Sequence, residues 1–126
     1  MHELSITHSV VAICAERAAE QGMDTRVTRV TLEVGKLSAV MPDALRFCFE
    51  ICAKDTVVEG AQLEIIEIPG RARCRDCGGE VALSELFGRC RCGNANLDLI
   101  AGQELKIKHM EVAECAQPAD ALARTA

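Results

Sequence analysis

Neither tryptophan nor tyrosine occurs among the 126 residues, and phenylalanine occurs three times. Any core must therefore be largely aliphatic, and aromatics are scarce for stacking unpaired bases. A basic excess is missing too. Fourteen Lys and Arg against nineteen Asp and Glu leave a net charge of −5, whereas a nucleic-acid partner demands a cationic footprint. No apolar run approaches the roughly 20 residues that cross a bilayer, so no membrane role is expected. Met1-His2-Glu3-Leu4 lacks the basic start and unbroken apolar stretch of a secretory leader, which points to the cytoplasm.

What the chain has in plenty is cysteine, eight residues in all. In a reducing compartment, close cysteine pairs bind metal more often than they cross-link. Four of them form two close pairs, Cys74-Arg-Asp-Cys77 and Cys90-Arg-Cys92, separated by twelve residues. Such pairs on tight turns can surround one tetrahedral ion, and Zn(II) favours soft sulfur donors without imposing a geometry of its own. Gly78-Gly79 and Gly93-Asn94 supply the turn residues. A disulfide or a redox Cys-x-x-Cys are the other readings, but the redox motif should open a helix, and here Gly-Gly follows. The second pair is one residue tighter than the first, so its turn must be built differently.

Periodicity sets the remainder. Residues 4–21 read as an amphipathic helix, with Leu4, Thr7, Val11, Cys14 and Ala18 on one stripe, widened by Val10 and Ile13. Residues 26–35 alternate as a half-buried strand, with Thr28, Val30, Leu32 and Val34 on one face and Arg29, Thr31 and Glu33 on the other. Pro42 opens a second helix that runs to about Lys54, with Leu45, Phe49 and Cys52 inward. Strands follow at 61–68 and 103–112. The piece between them is too small to hold itself together by an apolar core, and metal supplies what is missing. The fold class expected is α+β: a small mixed sheet with two helices, plus an inserted zinc-ribbon-like module. The divisions are 1–69, completed by strand 103–112; the metal module 70–102; and a tail, 113–126, without a convincing apolar stripe and expected to be disordered.

The first residues carry chemistry of their own. An α-amine, the His2 backbone nitrogen and the His2 imidazole can close adjoining chelate rings on one ion. An amine near pH 8 and an imidazole near about 6.5 are deprotonated at modest cost. A nitrogen-rich, nearly planar set selects Ni(II) or Cu(II) over Zn(II).

At this point the chain resembles a known family. Met1-His2-Glu3-Leu4-Ser5 is similar to the opening of the HypA/HybF hydrogenase nickel-incorporation factors. Val34-Gly35-Lys36-Leu37, Pro42 through Phe49, Gly60-Ala61-Gln62-Leu63, the cysteine cassette and Gly102 through Lys108 resemble that family's later blocks, in order and without large gaps. The resemblance implies a non-enzymatic metallochaperone that delivers Ni(II) for [NiFe]-hydrogenase maturation, and in some organisms serves urease. Nickel then falls on Met1, His2 and Glu3, and zinc on Cys74, Cys77, Cys90 and Cys92. Partners implied are a nickel-handling GTPase maturation factor, the hydrogenase large-subunit precursor and urease maturation factors, with the chaperone acting as monomer or homodimer. The carboxylate of Glu3 is implied in partner contact.

Two departures stand out. The second pair is Cys-x-Cys where the family has Cys-x-x-Cys, and no histidine lies between Pro69 and Gln103. A fixed four-cysteine site without histidine exchange is therefore expected. The other reading of the chain is a zinc-ribbon interaction adaptor with no nickel role; a catalytic zinc is disfavoured because four thiolates leave no open position.

Other reactive side chains have plainer expectations. His8 should face solvent or cap, and His109 should be half-buried structure. Cys14, Cys48 and Cys52 should pack as small hydrophobes, and Cys115 should be an exposed thiol. Arg71, Arg73, Arg75, Arg89 and Arg91 surround the cassette, either balancing thiolate charge or forming a docking face for an acidic partner.

Overall fold

In a computed structural model, which describes residues 2–114, eight elements follow one another. They are α1 (His2–Gln21), β1 (Thr25–Gly35), α2 (Pro42–Ala53), β2 (Gln62–Ile68), β3 (Gly70–Cys74), β4 (Glu80–Leu83), β5 (Leu97–Ala101) and β6 (Leu105–Glu114). Two three-stranded sheets form, in the orders β2-β1-β6 and β4-β3-β5. In the first, Gly35 N–H donates to the Glu104 carbonyl and Leu37 N–H to that of Gly102, so the chain after β1 and the chain before β6 run in opposite directions. Thr31 meets Glu64, and Lys36 N–H donates to Ile68, so β1 and β2 advance together. The sheet is mixed and the class is α+β, as expected. β6 includes Glu114, two residues beyond its expected end, and the rest of the tail, with Cys115, lies outside the described residues.

The chain divides into two compact units. The first comprises Met1–Thr31, Asp43–Glu64 and Ile107–Ala126; the second comprises Leu32–Pro42 and Ile65–Lys106. In the first, Val10, Val11, Cys14 and Ala18 of α1, Val27 and Val30 of β1, Leu45, Phe49 and Ala53 of α2, and Val58 are buried. The stripe on α1 is narrower than its pattern suggests: Leu4 and Ile13 are exposed. Thr7 takes a buried place among apolar groups because its hydroxyl donates back to the Glu3 and Leu4 carbonyls. Cys52 and Cys48 are half-buried rather than core, the Cys52 sulfur lying 3.6 Å from the Thr7 hydroxyl, and Ala53 takes the inward place. His109 is exposed, not half-buried, and His8 is exposed as expected.

The alternation of β1 also breaks down. Thr28 is exposed, while Thr31, assigned to the outer face, is fully buried beside Leu32. The Thr31 hydroxyl donates to a Glu64 carboxylate oxygen at 3.3 Å, which satisfies a polar group that burial would otherwise penalise. A strand flanked on both sides is covered on both faces along part of its length, and local periodicity does not report that.

Cys14 is shielded completely, and burial pushes its thiol up from 9.0 to about 11. Its ionisation in the unfolded chain therefore precedes ionisation in the folded one. The stability it confers is intact below pH 9.0 and is lost as pH rises towards 11. Urea midpoints measured across that range should fall further for the native chain than for Cys14→Ala; equal declines would show that Cys14 does not titrate as described.

Candidate metal centre

Strand β3 delivers Cys74 at its last position, and a tight turn follows at once. Cys74 N–H donates to the Gly79 carbonyl at 2.8 Å, and Gly78 N–H returns to the Cys74 carbonyl at 2.9 Å. The second turn repeats this with one residue fewer: Cys90 N–H donates to Asn94 at 2.8 Å, and Gly93 N–H to Cys90 at 2.9 Å. That contraction is how Cys-x-Cys reproduces the knuckle of Cys-x-x-Cys. Gly78 and Gly93, with φ of 75° and 93°, occupy equivalent positions at the two bends.

Polar side chains tie the knuckles together. The Asn94 side-chain amide donates to the Asp76 carboxylate, and Arg75 N–H donates to the Asn96 carbonyl at 3.0 Å. Asn96 N–H closes a turn on Asn94 Oδ1 at 2.7 Å. Sequence reasoning named Asn94 as a turn residue but missed the parts of Asp76 and Asn96; the only signal was an Asn-rich run after the second pair.

The four sulfurs of Cys74, Cys77, Cys90 and Cys92 lie within 4.8 Å of one another. Cys74 and Cys92 stand 3.7 Å apart, and Cys77 and Cys90 stand 3.4 Å apart. A tetrahedron with Zn–S bonds of about 2.3 Å has edges of about 3.8 Å, so the donor set fits such an ion with small adjustment. Cys74 and Cys90 are buried, whereas Cys77 and Cys92 are exposed. No histidine belongs to the cluster.

The thiols cannot all ionise alone. Cys90 is drawn down to about 7, chiefly by the Cys92 N–H and also by the Cys77 thiol. The Asn94 N–H favours the Cys92 thiolate, yet the Cys90 and Cys74 sulfurs outweigh it and hold that thiol up at about 12. Cys77 behaves similarly: the Gly79 N–H favours its thiolate, but Cys90 and Cys74 raise it. Negative charge concentrates on one sulfur until a cation supports the others, so filling this site releases protons.

Four of the five surrounding arginines are engaged by carboxylates or backbone. Arg71 and Arg73 both reach Glu80, at 3.0 and 2.8 Å, linking β3 to β4. Arg75 holds Asp98 at 2.6 Å, linking β3 to β5 and drawing that carboxyl below its ordinary range. Arg89 donates to the Gly93 carbonyl at 3.0 Å.

The other predicted ligands belong to the first unit. Met1 lies outside the described residues. His2 opens α1, which therefore starts two residues earlier than expected, and its imidazole is largely exposed. His2 Nε2 stands 3.8 Å from a carboxylate oxygen of Glu3, whose own side chain is mostly covered. The first four N–H groups of a helix have no intrahelical acceptor, and His2 is the first residue of α1.

Two helices, small mixed sheets and a lobe closed by four thiols define a small α+β metal-binding protein. Residues 1–112 match the family described as "Hydrogenase/urease nickel incorporation, metallochaperone, hypA". A "Hydrogenase maturation factor HypA" of Nostoc punctiforme is 59% identical over 114 residues, covering 90% of this chain and 97% of that protein. One from Geotalea uraniireducens is 49% identical over 113 residues, covering 89% and 99%. Among solved structures, the "Solution structure of HypA protein" aligns with a TM-score of 0.68 at 27% identity, covering 90% and 97%. The "Solution structure of the Ni metallochaperone HypA from Helicobacter pylori" aligns at 0.64 and 25% identity, covering 90% and 98%. The chain belongs to the HypA family of hydrogenase maturation factors.

Proposed function

We propose that this protein is a cytoplasmic nickel carrier without catalytic activity. It takes Ni(II) at its amino terminus and passes it on for [NiFe]-hydrogenase maturation, with urease as a second destination. The ligands are the Met1 amine, the backbone nitrogens of His2 and Glu3, and the His2 imidazole. Zn(II) on Cys74, Cys77, Cys90 and Cys92 keeps the module 70–102 folded, inserted between β2 and β6. Cargo passes within complexes with a nickel-handling GTPase and the hydrogenase large-subunit precursor. The carrier itself acts as monomer or homodimer.

The observation that carries this reading is the setting of His2. Its imidazole is open to solvent at the first residue of a helix, where the His2 amide nitrogen has no intrahelical acceptor. The carboxylate of Glu3 stands on the Nε2 side, which leaves Nδ1 to close a six-membered ring with the His2 amide nitrogen. A carboxylate beside the non-ligating ring nitrogen is the usual companion of a metal-bound imidazole. A ligand set at a chain end releases its ion one bond at a time, which suits cargo.

Ni(II) titration should give tight one-to-one binding for the chain beginning at Met1. Both His2→Ala and a chain extended by a few residues before Met1 should lose at least about a hundredfold in affinity, in line with losing chelate ligands. Their thermal unfolding should be unchanged. Equal affinity in all three proteins would end this assignment.

A further inference from the structure

The four thiols are not equivalent, and their arrangement implies an oxidation chemistry distinct from metal holding. Each exposed sulfur touches a buried sulfur of the other knuckle: Cys77 meets Cys90 at 3.4 Å, and Cys92 meets Cys74 at 3.7 Å. A hydroperoxide converts a thiol to a sulfenic acid, which then needs a second thiol close by, or oxidation proceeds to acids that cannot be reversed. Here the resolving thiol waits across the gap at both positions.

We propose that hydroperoxides oxidise this cluster across the two knuckles, giving disulfides Cys77–Cys90 and Cys74–Cys92. In each pair one sulfur displaces alcohol or water from the hydroperoxide and becomes a sulfenic acid. Its neighbour across the gap then attacks that sulfur, forming the S–S bond and releasing water. Two electrons pass to each hydroperoxide, so two equivalents convert four thiols into two disulfides. No anionic sulfur is then left for a cation, and the ion is released; a thiol reductant restores the site.

The pairing is the distinguishing claim. Disulfides within each knuckle would join Cys74 to Cys77 and Cys90 to Cys92, closing very short rings. The contacts instead run between knuckles, and the ring closed across them ties β3 to the segment before β5. Sulfurs at 3.4 and 3.7 Å must approach to about 2.0 Å, a movement that two glycine-bent turns can absorb.

This proposal rests on the reading of the cluster as a metal site only for the release step. Metal content, measured before oxidation, separates failure of that reading from failure of the pairing. Trypsin, cutting after Arg73, Arg75 and Arg89 and after residue 91, places each cysteine on its own peptide, and Arg91→Lys gives 90–91 a mass different from 74–75, both of which are otherwise Cys-Arg. Full-length Arg91→Lys protein treated with two equivalents of hydrogen peroxide, digested without reductant and weighed, should join peptide 76–89 to 90–91, and 92–106 to 74–75. A zinc-sensitive dye should report release with the same time course in protein that carried zinc. In the same Arg91→Lys background, Cys77→Ser should leave Cys90 alkylatable while Cys74–Cys92 still forms. Linkage within the knuckles, or sulfinic and sulfonic acids without linkage, would overturn the proposal.

Discussion

Replacing Gly35 by alanine should cost about 3 kcal/mol or more, at the upper end for overpacking, because the group in the way is backbone and not a flexible side chain. A methyl group on Gly35 would fall inside the van der Waals envelope of the Gly102 carbonyl and within 2.5 Å of the Gln103 nitrogen. Those atoms are fixed. Gly35 N–H donates to Glu104 at 2.7 Å and Leu37 N–H to Gly102 at 2.7 Å, so the two segments cannot separate without losing both bonds. The Leu37 side chain fills the same place, and it would contact a methyl on Gly70 at 2.5 Å and one on Gly102 at 2.9 Å. Urea unfolding of Gly35→Ala beside Gly60→Ala is the comparison, since nothing lies within 4 Å of a methyl at Gly60, although its φ of 83° carries a smaller backbone cost. A loss at Gly35 no larger than that at Gly60 would mean that the close approach has little energetic weight.

On the proposed zinc assignment, Cys74→Ser should abolish stoichiometric zinc and open the lobe. The Cys74 sulfur is almost wholly buried at the end of β3, so no outside donor can reach its place. Structural zinc in small modules contributes on the order of 10 kcal/mol to folding, far beyond what the few buried side chains of this lobe supply. Among residues 70–102 the fully covered apolar groups are Ala72, Cys74 and Cys90. Metal analysis should fall from one equivalent to none, and trypsin should cut after Arg89 and Arg91 within minutes while α1 and α2 persist by circular dichroism. Cys14→Ser, altering a thiol outside the cluster, should keep its zinc. Retention of zinc by Cys74→Ser with an intact lobe would remove the four-cysteine assignment.

The cassette was legible in the sequence because its information is local: cysteine spacing and the glycine behind each pair are enough to place two knuckles. The start of α2 was legible for the same reason, since Pro42 acts within a turn. Burial along β1 was not legible, because Thr31 is covered by what β2 supplies thirty-three residues later, in the form of Glu64. Leu4 and Ile13 satisfied a helical stripe yet stay exposed, since a stripe states what could be buried and not what arrives to cover it. Gly35 read as the end of a strand; that it faces Gly102 depends on a return of the chain no window of residues contains. The tighter second pair raised a question of geometry that only the backbone bonds of Cys90, Gly93 and Asn94 answer.

A methyl on Gly102 would stand 2.7 Å from the Gly70 α-carbon, so the strand entering the sulfur-bearing lobe and the strand leaving it touch backbone to backbone at its root. Whatever lies beyond that doorway hangs from two adjacent points. Such a lobe can be lengthened, shortened or fitted with a different set of donors without asking the rest of the chain to adjust. Variation among relatives should therefore accumulate past the doorway, while the glycines that frame it stay as they are.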